Sequence, residues 1–178
     1  LFFAIIFTSH YYSILKAQDL KNIKIEKFAH ETFNVKPHPK AEFKTLKNGF
    51  RYILLPNKTP DKRVMVYLYV DVGSLNEKDD QQGLAHFVEH MAFNGTKNYS
   101  GEVLHDLFKK MGMSIGNDTN AHTFFDKTTY EMDLPDEAFK DDAIKIMADF
   151  AMNITFDAKE IEKEKNNMTS YYTGGECN

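Results

Sequence analysis

Along the chain, apolar residues recur every second position in some stretches and every three to four in others. Val64, Val66, Leu68, Val70 and Val72 alternate with Met65, Tyr67, Tyr69 and Asp71. That period of two predicts a strand largely covered on both faces. Tyr130, Met132 and Leu134 alternate with Thr129, Glu131 and Asp133 and predict another. Leu46-Lys47-Asn48-Gly49-Phe50 places Asn-Gly between two strand-like runs, so a hairpin joining residues 42–46 to residues 50–55 is expected. The helical stretches begin with residues 83–93, where Leu84, Phe87, Val88 and Met91 form a core-facing stripe. Glu77, Asp79 and Asp80 precede it with charge suited to a helix amino terminus, and Asn94-Gly95 closes it. Ser100 can cap the next helix, whose buried stripe is Val103, Leu104, Leu107, Phe108 and Met111. A longer amphipathic helix is expected from Asp136 to Asn153 with Phe139, Ile146, Met147 and Phe150 inward. Asp157 and Glu160 resemble a capping box at the start of the last one. Strands and helices roughly alternate without repeats, which predicts a sheet with helices packed on it.

The ends of the chain read differently. Leu1 to Phe7 is an uninterrupted apolar run, and Leu15-Lys16-Ala17 ends in a small residue suited to signal peptidase. Residues 1–17 therefore read as the remnant of a leader, with a mature start near Gln18 and a periplasmic or extracellular location. Seven apolar residues are too few to span a bilayer, and a buried core strand is the alternative reading. Residues 18–41 are polar, with Pro37 and Pro39 around His38, and suit an extended lead-in. The domain proper is expected over 42–165, with no later run apolar enough for a membrane helix.

Composition narrows the functional classes. A chain of 178 residues that is 42% hydrophobic suits one domain with a core. A net charge of −4 and no block of Lys or Arg leave no electrostatic footprint for nucleic acid. Cys177 is the only cysteine, which excludes an intrachain disulfide and any multi-cysteine zinc site.

The candidate chemistry lies in His86-Phe87-Val88-Glu89-His90. Residues four apart lie on one helix face, so His86 and His90 can offer two imidazoles to one ion. Glu89 lies on the same side and can serve as general base toward a metal-bound water, the arrangement for hydrolysis without a covalent intermediate. Two satisfied histidines and a solvated Glu on a surface helix form the non-functional alternative.

The run from Asp79-Asp80-Gln81-Gln82-Gly83-Leu84-Ala85 through this motif to Met91-Ala92-Phe93-Asn94-Gly95-Thr96-Lys97-Asn98-Tyr99 resembles the pitrilysin-like zinc peptidases, the insulinase or inverzincin family (peptidase family M16). Leu46-Lys47-Asn48-Gly49-Phe50-Arg51-Tyr52 before it and Asn120 to Tyr130 after it agree. The resemblance implies an α+β, two-layer sandwich of a mixed, mostly antiparallel sheet with helices on one face. It further implies pairing with a homologous second half or partner subunit to enclose a chamber. It makes His86 and His90 ligands of Zn2+ and Glu89 the base. Asn120, Ala121, His122 and Thr123 match a strand edge that holds a peptide or unfolded polypeptide substrate as an added strand. His122 is then a strand-edge residue and not a ligand, while the spacing of His105 places it on the surface.

A catalytic zinc wants a third protein ligand. The family supplies a Glu from the helix that here starts at Asp157. Matching Glu164 to its usual acid puts the ligand at position 171, which is Tyr. Glu164 lies two turns away, about 10 Å, and is expected beside the ligands and not among them. Residues 166–178 lose the family's acidic pattern, so a fragment of a longer enzyme is expected. Glu176 or Cys177 could replace the ligand only if the tail folds back. The competing reading is a non-catalytic homologue that binds peptides or a partner, which Tyr171 favours.

Overall fold

A computed structural model of the chain describes residues 2–9 and 27–172, with side chains from 27 to 168. Leu15 to Ala17, the side chain of Tyr171, and Glu176 with Cys177 lie outside the described residues.

Six strands form one sheet in the order β2-β3-β1-β4-β6-β5, where β1 is Phe2–Ser9, β2 Glu42–Thr45, β3 Arg51–Asn57, β4 Val64–Val70, β5 Thr119–Thr123 and β6 Thr128–Leu134. Every neighbouring pair is antiparallel except β1 with β4. The helices are the short α1 (Ala29–Thr32), α2 (Leu84–Asn94), α3 (Gly101–Lys110), α4 (Lys140–Met152) and α5 (Ala158–Tyr172). The β2–β3 hairpin turns at Asn48-Gly49, where Gly49 takes a φ of 86° that a side chain would resist. The apolar run expected as a leader remnant is β1, paired with β3 on one side and β4 on the other.

One face of the sheet carries the core. Val64, Val66 and Leu68 of β4 and Tyr130, Met132 and Leu134 of β6 are buried against Ala143, Ile146, Met147 and Phe150 of α4 and Leu104 and Phe108 of α3. The opposite positions, Met65, Tyr67 and Tyr69, are only half-buried, so β4 is a one-sided strand and not the doubly covered one its composition suggested. Asp136 caps a 3-10 turn (Glu137–Phe139), so α4 starts later than the pattern predicted. Ser100 caps α3 through Val103 N–H, and Asp157 caps α5 through the Lys159 and Glu160 amides.

One polar group belongs to this core. Asp149 of α4 is 4% exposed, yet its carboxylate accepts from Thr96 Oγ1 at 2.7 Å, Asn98 Nδ2 and Asn153 Nδ2 at 2.8 Å, and the Asn98 backbone at 3.3 Å. Burial pushes its carboxyl up, but the bonds from Thr96, Asn153 and Asn98 outweigh that and hold it below the usual value. It fixes the turn that follows α2. Asp149→Ala should cost about 2–3 kcal/mol at pH 7, the range for bonds to a charged group, measured by urea unfolding. Because the folded carboxyl titrates below the unfolded one, this stability is complete above the ordinary Asp range. The gap between wild type and variant should therefore close as pH falls through the lowered value.

Candidate metal centre

The centre is built on α2, and the sequence around it explains how so short a helix is held. Gly83 enters it with a φ of 88°. The Glu77 carboxylate takes the amides of Gly83 at 2.8 Å and Ala85 at 2.7 Å, supplying acceptors that the first turn lacks. Of the three acids expected at this terminus, Glu77 makes these contacts, while Asp79 and Asp80 are exposed in a separate 3-10 turn. Met91 and Ala92 are fully buried and anchor the helix, with Phe87 and Val88 half-buried. Leu84 is 48% exposed, not a core contact, because the first turn extends past the cover of the sheet.

His86, Glu89 and His90 gather so that one ligand atom from each lies within 4.8 Å of the others. The Nε2 atoms of His86 and His90 are 3.0 Å apart. Two nitrogens each about 2.0–2.1 Å from one zinc stand about 3.3 Å apart in tetrahedral geometry, so this pair needs an adjustment of only about 0.3 Å to share an ion. The other nitrogen of His90 is committed: Nδ1 lies 2.6 Å from Glu164 Oε1. A carboxylate there accepts a hydrogen bond from Nδ1–H, keeps the proton on Nδ1 and leaves the Nε2 lone pair for a cation. Glu164 is 5% exposed and also accepts from Asn94 Nδ2 at 3.0 Å and Asn167 Nδ2 at 3.2 Å. Burial pushes its carboxyl up, and the bonds from Asn94, His90 and Asn167 outweigh it, so it stays ionised below the ordinary range. Burial holds the His86 imidazole below its usual value and nearby His90 adds to that, so both effects favour the neutral, ligating form.

Glu89 is 7% exposed and its Oε2 accepts from the Thr123 hydroxyl. Thr123 ends β5, which lies at the edge of the sheet beside α2. On that edge Ala121 is buried, and its amide is covered by the Asn120 side chain, N to Oδ1 at 2.9 Å. His122 lines the same cleft but stands outside the His86–Glu89–His90 cluster, its exposed ring 3.3 Å from Glu131. His105 is exposed on α3. His86 and Glu89 open onto a cleft of ≈ 730 Å³ whose far wall is apolar and exposed, formed by Leu75, Phe124 and Phe125.

That wall depends on Gly73. The amides of Ser74 and Leu75 bond to the carbonyls of Phe124 and Phe125 at 3.1 and 2.8 Å. A Cβ on Gly73 would stand 2.3 Å from Phe124 O and 2.7 Å from Lys127 N. The patterns in the sequence revealed neither this contact nor Asp149, nor Thr123 as a partner of Glu89. Each joins segments whose separation along the chain carries no periodic signal.

Two imidazoles converging one helical turn apart with an adjacent buried carboxylate, on a sheet with helices on one face, could hold a metal ion as histidine-ligated sites do. The sequence matches the family Insulinase (Peptidase family M16) over residues 52–174. The chain is 37% identical over 126 residues to the probable zinc protease PqqL of Escherichia coli (strain K12), covering 70% of this chain and 14% of that protein. It is 37% identical over 138 residues to the chloroplastic stromal processing peptidase of Pisum sativum, covering 75% of this chain and 10% of the relative. The crystal structure of the periplasmic protease PqqL from Escherichia coli superposes with a TM-score of 0.72 at 34% identity, covering 78% of this chain and 16% of that one. This chain belongs to the insulinase family of peptidases, and it spans a small part of the length of the relatives it matches.

Gly73→Ala should separate the Ser74–Leu75 turn from the Phe124–Phe125 segment and cost about 2–3 kcal/mol, as overpacking against backbone does. Thermal unfolding measures the loss, and Gly73→Ser should be no better tolerated.

Proposed function

We propose that this chain is the metal-bearing domain of a zinc metalloendopeptidase that cleaves extended polypeptides. The observation that carries the reading is the 3.0 Å approach of the two Nε2 atoms, with His90 oriented from behind by Glu164. A bound zinc supplies Lewis acidity, lowering the pKa of water and polarising a carbonyl. His86 and His90 are its proposed ligands. Glu164 holds the His90 tautomer. Glu89, which lines the cleft, is the proposed acceptor for the proton of the water that attacks the scissile carbonyl. A third ligand is required, and among the described residues the cluster offers only Glu89 beside the two histidines. Longer relatives with a second half favour completion of the active chamber by a homologous half or partner subunit.

An extended substrate adds to the open edge of β5, where its backbone carbonyl replaces Asn120 Oδ1 on the Ala121 amide. Backbone pairing admits varied sequences, in keeping with an unfolded polypeptide as substrate. The alternative, a non-catalytic peptide-binding homologue, is favoured by Tyr171 at the position expected for the third ligand. Glu89→Gln separates the two. The protein expressed from its native gene should bind one zinc and cleave a quenched peptide with chelator sensitivity. Glu89→Gln should retain the zinc and lose cleavage by about 10²–10⁴-fold, the contribution of a general base. Undiminished cleavage in the variant overturns the base assignment, and absence of zinc favours the non-catalytic reading.

Export is part of the same proposal, since a structural relative is a periplasmic protease and residues 1–17 carry leader features. The same apolar run pairs as β1, so the two readings differ in the mature amino terminus. Sequencing the protein recovered from its native host should find Gln18 first. Retention of residues 1–17 would refute cleavage and assign the run to the sheet.

A further inference from the structure

We infer that Thr123 is a positioning residue for Glu89, holding one carboxylate oxygen so that the other faces the cleft. The inference rests on the reading of Glu89 as the general base. Glu89 has a long side chain with three rotatable bonds, so burial alone does not select the orientation needed for proton transfer. Among the described residues, the Thr123 hydroxyl is its hydrogen-bond partner, and the bond goes to Oε2. Oε1 accepts no hydrogen bond from the described residues.

The direction of the bond is set by what lies behind Thr123. Its cross-strand partner is Thr128. Thr128 is buried and donates its hydroxyl proton to Val72 O at 2.9 Å, while the two threonine oxygens are 3.5 Å apart. Thr128 is thereby committed to Val72, and the Thr123 proton goes to the carboxylate. A β-branched residue on a strand has few χ1 choices. Thr123 therefore presents its hydroxyl from a stiff side chain on the sheet, whereas Glu89 reaches it from the helix.

The link also joins two parts of the proposed reaction. β5 is the strand on whose edge the substrate is proposed to lie, and α2 carries the base. A substrate that settles on β5 is then registered against the same strand that fixes Glu89. Position along the peptide and position of the base share one reference, which a loop-borne partner would not provide.

Thr123→Val removes the hydroxyl while keeping the shape and strand preference, and Thr123→Ser keeps the hydroxyl without the methyl. In the protein expressed from its native gene, Thr123→Val should bind zinc in full and lower kcat by about 10- to 100-fold, the range for a misplaced catalytic group, with KM within about twofold. Thr123→Ser should recover kcat to within about fivefold of wild type, short of full because its χ1 is less restricted. A crystal structure of Thr123→Val should show the Glu89 carboxylate rotated from its place at the cleft. The inference is overturned by an unchanged kcat, by a rise in KM alone, which would make Thr123 only a substrate-strand residue, by failure of Ser to restore, or by an unmoved Glu89. If Glu89→Gln remains active, the reading of the base itself fails. If Glu89→Gln is inactive and Thr123→Val is fully active, only the positioning role fails.

Discussion

The 2.6 Å contact between Glu164 Oε1 and His90 Nδ1 joins α5 to α2, and the geometry of the candidate centre depends on it. A helix of 11 residues has little stability of its own. Here each end of α2 is tied from outside by a carboxylate: Glu77 on the first amides and Glu164 on His90 near the last turn. Asp149 then fixes the turn beyond it through Thr96 and Asn98. All three acids are satisfied by hydrogen bonds, which is what lets carboxylates lie among apolar side chains without the desolvation penalty of an unpaired charge.

The same arrangement sorts the acids by function. Glu164 and Asp149 are saturated with donors, and the hydrogen bonds that hold each of them below its ordinary range also immobilise them. Glu89 differs in having one donor among the described residues, Thr123. A carboxylate with spare acceptor capacity beside a cleft is suited to taking a proton, and a saturated one is suited to orienting a neighbour. Proximity in sequence does not make this distinction, since Glu89 and His90 are adjacent while Glu164 is 74 residues away.

Sheet topology decides which strand beside the cleft keeps an open edge. β4 and β6 are interior and pack on α4, so their edges are consumed by pairing. Among the described residues β5 pairs only with β6, and the cleft opens beside it. An exposed strand edge invites unwanted pairing, and the Asn120 side chain on the Ala121 amide covers part of it. Leu75, Phe124 and Phe125 give the cleft that His86 lines an apolar wall, held together through the contact that Gly73 permits.

Local pattern alone carried the β2–β3 hairpin, β4, β6 and α2 to α5. Alternation and helical periodicity report which face of an element is apolar, and Ser100, Asp157 and Gly49 act within a few residues of themselves. The four-residue spacing of His86 and His90 was legible for the same reason, and the resemblance to the insulinase family rests on contiguous runs around it. What lay beyond local pattern was how completely each face is covered, as β4 and Leu84 show, because cover comes from elements distant in sequence. The partners of Glu89, Asp149 and His90 are 34, 53 and 74 residues away. Only the packing of α4 on the sheet, of α5 against α2 and of β5 beside α2 brings them into contact, because a hydrogen bond depends on distance and angle in space and leaves no period in the chain.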